Sequence, residues 1–230
     1  MNTPSHHLDD DLLLAYVTGA ATEPVALVAA CHLTLCMACR ERATAAEMVG
    51  GALLDAAGPS DQLSPDALER MLARLDGDLP VLPADARAGA DVPFVFAGVS
   101  LPRPLERYLA RDDQADSRPH AFRFLAPGVR GIDLEVTAPP VVRTRLLRLN
   151  PGVEIPRHTH AAPEFTVVFA GGLSDGGEHY VRGDVRFRDT GAEHVQVVDP
   201  EGPCVALVVN EGALLPRTWR GKLVSLLFDR

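Results

Sequence analysis

The chain has 230 residues, 47% of them hydrophobic, which is enough for one large domain or two modest domains with packed cores. Its formal net charge is −9, from 22 basic and 31 acidic residues. The imbalance lies in residues 1–90, where 13 acidic side chains face only 5 basic ones. This negative charge argues against direct nucleic-acid binding, because it repels phosphates. It suits a basic protein surface, although an ordinary solvated acidic surface has the same composition.

The sequence shows no membrane or export signal. No stretch approaches 18 consecutive apolar residues, and the N-terminal segment has no basic region followed by an apolar run. We therefore expect a cytoplasmic protein without a membrane partner. In that compartment the four cysteines are expected to be thiols or metal ligands rather than disulfides.

Two helices are predicted at the start of the chain. Residues 8–20 have leucines at helical spacing, and Asp9 to Asp11 favour the positive end of the helix dipole. Thr22 is the expected N-cap of a second helix, which should extend from about Glu23 to Met48. Gly50 and Gly51 are expected to end or loosen it.

The second helix carries a candidate metal site. His32, Cys36 and Cys39 have the spacing i, i+4 and i+7, which places them within about 60° of one another on one helix. One imidazole and two thiolates need a fourth ligand to complete a tetrahedral zinc site. His6 and His7 are both suitable, and spacing alone leaves the choice between them open. The plainer alternative is a pair of buried cysteines beside an ordinary histidine.

Two other readings of these cysteines are less favoured. A redox role for Cys36 and Cys39 requires a helix N-terminus to lower a thiol pKa, and the pair is predicted deep within a helix. Cys31 points about 100° away from His32 on the helix and is predicted to be a core thiol.

A third helix and a linker follow. Ser64 and Pro65 give the expected start of a helix whose apolar stripe runs from Leu68 to Leu75. This stripe must pack on its own bundle, on the following domain or on a partner. Residues 76–93 are rich in proline, glycine and small residues, which predicts a semi-extended linker.

The rest of the chain has the pattern of a β domain. One or two helical turns are expected at residues 105–110, and short apolar runs punctuated by proline and glycine follow them. The predicted strands are residues 122–125, 132–136, 141–149, 165–169, 184–188, 195–198, 205–209 and 223–228. Many short strands of this kind favour a double-sheet jelly roll.

A second candidate metal site lies in this domain. His158 and His160 are one residue apart on a strand, so their side chains point to the same face. Glu164 begins the next apolar run, and His194 comes one hairpin later. Three imidazoles and one carboxylate form a ligand set for a borderline divalent metal. The alternative is that these are ordinary polar residues on strands.

The glycines around these residues give a family resemblance. Gly152, Gly171, Gly183 and Gly191 stand at spacings that, together with the four candidate ligands, resemble the two motifs of the cupin superfamily. The second motif departs from the family pattern twice. Asp189 replaces the usual proline and Val198 the usual asparagine, which puts the turn before His194 in doubt.

The complete arrangement resembles the ChrR-like zinc-binding anti-sigma factors. A histidine before the first helix, the His32-x3-Cys36-x2-Cys39 motif and a following cupin occur in the same order over most of the chain. The resemblance implies that His7 is the fourth zinc ligand. It implies an α+β fold, with a zinc-binding helical anti-sigma domain at residues 1–76, a linker at 77–97 and an all-β cupin (jelly-roll) domain at 98–230. It also implies zinc at both sites, the cupin metal remaining open to another divalent ion.

Two functions are therefore in competition. In the first, the helical domain binds and inhibits an extracytoplasmic-function sigma factor and releases it when the cupin senses singlet oxygen or an organic hydroperoxide. In the second, the cupin is a metal-dependent dioxygenase or isomerase. His179 and Tyr180 are its only candidate acid–base groups, and each is more typical of a surface.

Three other residues belong to neither candidate ligand set. Cys204 is predicted to be a core residue, with a role in sensing as the alternative. Trp219 is predicted to be a packing anchor, and His120 has no evident partner in the sequence.

Overall fold

The computed structural model describes residues 3–58, 63–75, 94–109, 121–191, 193–212 and 214–216. The linker predicted at 76–93, the strand predicted at 223–228, Trp219 and His120 lie outside these residues. The helices are α1 (Asp10–Val17), α2 (Glu23–Leu35), α3 (Met37–Ala57), α4 (Ala67–Leu75) and the short α5 (Glu106–Leu109), which follows a 3-10 turn at Arg103–Leu105. In the described part of the chain, no single helix has the length and apolar composition of a membrane span, although the bent pair α2–α3 meets both criteria when taken together.

The second predicted helix is in fact two helices. Cys36 adopts an extended conformation between α2 and α3, and the helix direction bends by 117° at this break. Cys36 is the N-cap of α3, where its Sγ accepts a hydrogen bond from the Cys39 amide. The single helix predicted over Glu23–Met48 is therefore wrong, because a side-chain cap at Cys36 replaces the continuing helical hydrogen bonds.

The predicted stop at Gly50 and Gly51 is also wrong. Helix α3 continues through both residues to Ala57 and ends before Gly58, whose φ of +68° is in the left-handed region. Each helical glycine costs roughly 1 kcal/mol relative to alanine. Alanines on both sides of the pair and the two leucines after it have high helix propensity, which opposes that cost.

The β part is a double-sheet jelly roll, as predicted. The strands are β1 (Phe94–Phe96), β2 (Val99–Leu101), β3 (Arg123–Ala126), β4 (Val129–Asp133), β5 (Arg143–Leu149), β6 (Glu154–His160), β7 (Glu164–Ala170), β8 (Gly172–Asp175), β9 (Glu178–Val181), β10 (Val185–Arg188), β11 (His194–Val198), β12 (Cys204–Asn210) and β13 (Leu214–Pro216). One sheet has the order β10-β7-β12-β5-β4-β3 and the other β13-β6-β11-β8-β9. The β1–β2 hairpin stands apart and was missed by the sequence analysis, as were β8, β9 and β13.

Helix α2 joins the helical part to the jelly roll. It contacts β7, β12 and the 3-10 turn, and its Val28 and Ala29 are fully buried. A single apolar cluster includes these residues together with Leu105 and Phe169 of the β part. Alternating β7 side chains thus contribute to two apolar clusters, because one face of the sheet packs on α2 and the other face packs on the opposite sheet. The helical part is consequently fixed to the jelly roll by buried apolar contact.

A polar contact at the start of α2 reinforces this packing. Glu23 accepts hydrogen bonds from the Tyr108 hydroxyl at 2.6 Å and the Thr137 amide at 2.8 Å, and it forms an ion pair with Arg107 at 3.1 Å. The hydrogen bonds from Tyr108 and Thr137 lower the pKa of Glu23 to about 2. One carboxylate thereby holds two separate segments of the β part against the helix N-terminus.

We predict that Glu23 makes the stability of the protein depend on acid pH. Its pKa is lower in the folded than in the unfolded chain, so its contribution is complete above pH 4.5 and is lost as the pH falls towards 2. Glu23→Gln should lower the free energy of unfolding by roughly 0.5–1 kcal/mol at neutral pH and flatten its dependence on acid pH. Urea unfolding over this pH range measures both effects.

Glu106→Gln is the matched control. Glu106 is half-exposed and forms a long ion pair of 3.9 Å with Arg103 on the same turn. The Glu106→Gln substitution should leave both the free energy of unfolding and its pH dependence unchanged. Equal pH profiles for the parent and Glu23→Gln would contradict the account of this contact.

Candidate metal centres

The first centre lies where the N-terminal segment meets the junction of α2 and α3. The ligand atoms of His7, His32, Cys36 and Cys39 lie within 4.8 Å of one another. His7 Nδ1 is 3.2 Å from Cys36 Sγ and 3.6 Å from Cys39 Sγ. His6 lies elsewhere, with its ring 4.3 Å from that of Tyr180. The structure thus groups His7 rather than His6 with the two cysteines.

The donor atoms of this group fit a tetrahedral metal. His32 is fully buried, and its Nε2 has no hydrogen-bond partner among the described residues. Its Nδ1 lies 2.7 Å from the Gly183 carbonyl oxygen, which fixes the tautomer with a free Nε2 lone pair. Burial lowers the pKa of His32 to about 4, so the imidazole is neutral and able to bind a metal at physiological pH. A buried unpaired nitrogen beside two buried thiols matches the ligand set of structural zinc.

The position of the cysteines corrects one argument made from the sequence. The pair is not deep within a helix, since Cys36 caps the N-terminus of α3. The convergence therefore comes from the break between two helices and not from a shared helix face. Burial raises the pKa of the Cys39 thiol, while the Arg42 guanidinium, 3.6 Å from its Sγ, favours the thiolate. Arg42 also donates to the Leu8 carbonyl at 2.9 Å, which holds the N-terminal segment over the site.

The second centre lies inside the jelly roll. His158 and His160 are at the end of β6, and His194 is the first residue of β11, with which β6 pairs. Their ligand nitrogens lie within 4.8 Å of one another, and all three side chains are almost fully buried. His160 Nε2 and His194 Nε2 are 2.8 Å apart. The turn before His194 forms despite Asp189, because Gly191 takes a φ of +81° and donates its amide to the His160 carbonyl.

Two of these imidazoles are oriented by neighbouring oxygens. His158 Nδ1 is 2.8 Å from the Pro156 carbonyl, and His194 Nδ1 is 2.9 Å from Asp175 Oδ2. Hydrogen bonds of this kind leave Nε2 free to bind a metal. Burial lowers the pKa of His158 to about 4, so its imidazole is neutral. Asp175 is thus a positioning residue that the sequence analysis missed.

Glu164, the expected fourth ligand, is held differently. Its Oε2 is 3.5 Å from His160 Nε2, whereas its Oε1 forms an ion pair with Arg186. Burial opposes ionisation of Glu164, but Arg186 and the imidazoles outweigh it and lower its pKa. Arg186 also pairs with Asp175, so one buried guanidinium faces two buried carboxylates. Arg188 also pairs with Asp175 at 3.2 Å, so guanidiniums balance these carboxylates. The imidazole nitrogens together with the Glu164 carboxylate are donor atoms that suit a divalent cation.

An apolar cavity opens beside this group. It has a volume of about 40 Å³, which is enough for a few water molecules or a small organic group. Its lining consists of Leu147, Leu149, Ile155, His158, Glu164, Thr166, Leu173, Gln196, Ala206, Val208 and Asn210. A ligand in this cavity would therefore touch His158 and Glu164 at one end and aliphatic side chains over most of its surface.

The remaining candidates lie away from this chemistry. His179 pairs with Asp199 at 2.9 Å, and the Tyr180 hydroxyl donates to Glu178. Neither His179 nor Tyr180 is among the described residues that line the cavity. Cys31 and Cys204 are fully buried, and burial raises the pKa of Cys204 to about 12. Such thiols remain protonated and react slowly.

Comparison with known proteins agrees with this architecture of a cupin joined to a helical His–Cys centre. Residues 112–214 match the family model of the ChrR cupin-like domain. The chain is 34% identical over 226 residues to the anti-sigma-E factor ChrR of Cereibacter sphaeroides, covering 98% of this chain and 99% of that protein. It also resembles a chain in the crystal structure of Rhodobacter sphaeroides SigE in complex with the anti-sigma ChrR, with 31% identity and a TM-score of 0.71. That match covers 90% of this chain and 99% of the other.

The chain therefore belongs to the ChrR family. The similarity extends over the helical part and the cupin together, so the family relationship is not confined to the widespread cupin fold. Both candidate metal centres lie within the matched length.

Proposed function

We propose that this protein is a cytoplasmic anti-sigma factor that binds and inhibits an extracytoplasmic-function sigma factor. The observation that carries the proposal is the similarity over nearly the whole chain to ChrR, which in the solved structure is in complex with SigE. The cupin is proposed to be a sensor domain at residues 98–230, joined by the linker at 77–97 to the helical domain at 1–76.

The helical part has an apolar surface suited to such a partner. Beyond Ala43, helix α3 buries no residue, and α4 buries none along its described length. Beyond Ala43, the exposed large apolar residues on the two helices are Met48, Val49, Leu53, Leu54, Leu68, Met71, Leu72 and Leu75. Large apolar side chains on unburied helices are typical of protein-binding sites. The stripe on α4 is thus available to a partner rather than packed in the bundle.

The charge of this part supports the same kind of partner. Residues 1–90 carry 13 acidic and 5 basic side chains. A sigma factor must present basic surfaces to promoter DNA, and an acidic protein surface complements them. The partner would then be both attracted to the helical part and kept from DNA by it.

Zinc at His7, His32, Cys36 and Cys39 would give the helical part its shape. The four residues come from four parts of the chain that one ion would tie together: the N-terminal segment, α2, the junction and α3. Structural zinc supplies folding free energy to small domains of this kind. It would hold α3 at its steep angle to α2 and so set the direction of the exposed end of α3.

The cupin centre is proposed to bind a second zinc or another divalent ion through His158, His160, Glu164 and His194. When bound, the ion would supply Lewis acidity next to the apolar cavity. The chain's own groups orient the imidazoles through Pro156 and Asp175 and keep bulk water away. A small organic hydroperoxide fits the chemistry of this cavity, and singlet oxygen would attack the imidazoles directly. Catalysis by a cupin dioxygenase or isomerase would leave the exposed α3 and α4 surface unused.

We predict that the N-terminal zinc centre is required for sigma binding. The double variant Cys36→Ser, Cys39→Ser should lose one zinc per chain and bind the sigma factor at least about tenfold more weakly, because the angle between α2 and α3 is no longer fixed. Isothermal titration with the purified sigma factor measures the affinity, and metal analysis the zinc. Cys204→Ala is the control, since this buried thiol lies in the cupin. Tight binding by the zinc-free double variant would contradict the proposal.

We predict that the cupin centre acts in sensing and not in binding. The double variant His158→Ala, Glu164→Ala should hold the sigma factor as tightly as the parent but fail to release it on treatment with organic hydroperoxide. A sigma-dependent reporter in cells and titration of the purified pair provide the two measurements. His179→Ala, which changes an exposed histidine on the same domain, should respond normally. Loss of sigma binding in the double variant would overturn this division of roles.

A further inference from the structure

We infer that the cupin itself completes the N-terminal zinc centre: the turn Gly183–Asp184 positions two of the four zinc ligands. The inference rests on the proposed zinc ligands His7, His32, Cys36 and Cys39 and extends them with residues from the other part of the chain. Gly183 and Asp184 lie between β9 and β10, at the edge of the six-stranded sheet. Gly183 is 151 residues away from His32 in sequence and in direct contact with it in space.

Asp184 fixes the segment that presents His7. Its side chain is fully buried, and its Oδ1 accepts the Ser5 amide at 2.7 Å and the His6 amide at 3.0 Å. Its Oδ2 accepts the Val181 amide at 2.8 Å, so the carboxylate is itself held by the cupin. These amide hydrogen bonds lower the pKa of Asp184 against the opposing effect of burial, and the carboxylate is ionised. Hydrogen bonds to a buried charge are among the strongest in proteins.

The backbone next to Asp184 continues this contact. Val185, the first residue of β10, donates its amide to the His6 carbonyl at 3.2 Å. β10 is the edge strand of its sheet, so this bond occupies an outer edge that no other strand covers among the described residues. His6, the residue immediately before His7, is therefore hydrogen-bonded to the cupin through both its backbone amide and its carbonyl. The direction in which the His7 side chain leaves the backbone is set by the cupin.

Gly183 orients the second ligand. Its carbonyl accepts from His32 Nδ1 at 2.7 Å, which leaves the unpartnered His32 Nε2 as the metal-binding nitrogen. Gly183 has a φ of +95°, and a Cβ at this position would lie 2.6 Å from Pro4 Cγ. Only glycine allows both the turn and the close approach of the N-terminal segment. A carbonyl that orients a ligating imidazole has the role of an outer-sphere group in metal sites.

The same strand also reaches the second metal centre. Arg186 on β10 pairs with Glu164 and Asp175 and lies 3.3 Å from His194 Nδ1. Only Val185 separates it from Asp184 in the sequence. One short segment, residues 183–186, therefore contacts residues of both centres: its turn holds the N-terminal segment, and Arg186 reaches the cupin histidines. A change at the cupin histidines that moves Arg186 has a direct covalent path to the residues that position His7 and His32.

The test measures zinc affinity at the N-terminal centre alone. All proteins carry His158→Ala and His160→Ala, so that only this centre competes with a chromophoric chelator. Asp184→Asn keeps the size of the side chain but turns one acceptor into a donor that faces amide hydrogens. We expect zinc affinity to fall about 10- to 100-fold, the usual cost of losing an outer-sphere contact. Cobalt substituted for zinc should lose the intensity of its tetrahedral ligand-field bands, which a change in stability alone would not alter.

Two comparisons make the result specific. Asp199→Asn is the matched control, since Asp199 is a cupin carboxylate that contacts the exposed His179. It should leave the zinc affinity and the cobalt spectrum unchanged. Ser5→Pro removes an amide donor to Asp184 without changing the cupin, and it should lower the affinity in the same direction. The effects of Ser5→Pro and Asp184→Asn should not add, because both break one contact.

Unchanged zinc affinity in Asp184→Asn, or an equal fall in Asp199→Asn, would overturn the inference. If Asp184→Asn does not fold, Ser5→Pro decides alone, and an unchanged affinity in that variant overturns the inference as well. A parent that binds no zinc at this centre would instead disprove the proposed ligand set. Sigma binding does not enter the measurement, so its outcome is separate from that of the proposed function.

Discussion

The packing of helix α2 on the jelly roll is the constraint on which the rest of the structure depends. Val28 and Ala29 are fully buried against a sheet that also forms the cupin core. Burial of this apolar face fixes where α2 ends, and hence where His32 and Cys36 stand relative to the cupin turn. Beyond Ala43, helices α3 and α4 bury no residue. One end of the helical part is thus anchored to the proposed sensor, and the other is open to a partner.

This arrangement gives a physical basis for regulation by the cupin. An inhibitor that responds to a signal needs an element whose position both sites can bias. Here the turn Gly183–Asp184 and strand β10 belong to the cupin and contact His32 and the segment before His7, and β10 also carries Arg186, which lies beside His194. A metal that drew Glu164 towards the histidines would compete with Arg186 for its carboxylate. The charge balance of the cupin interior is therefore linked through one strand to the shape of the helical part.

The sequence predicted much of this because short-range patterns determine it. The alternation of His158 and His160 along a strand and the glycine spacings required a jelly roll with both histidines on one face. The break at Cys36 could not be predicted, since it arises from a side-chain cap and from contacts with residues far along the chain. Asp175 and Arg186 were missed because a charged residue in a strand is equally compatible with either face until the pairing register is known. The cupin contacts of Ser5 and His6 have no local sequence signal.

The most direct test of this account is to co-express the full chain with its candidate sigma factor, purify the complex and measure its metal content. We expect a one-to-one complex with zinc bound at the His7, His32, Cys36 and Cys39 centre and a second divalent ion bound in the cupin. When Cys36 and Cys39 are replaced, the purified chain should lack the zinc of the N-terminal centre and should not carry the sigma factor. A chain that purifies free of the sigma factor, with a redox-active metal in the cupin and oxygen consumption on a small organic substrate, would contradict the account and favour an enzyme.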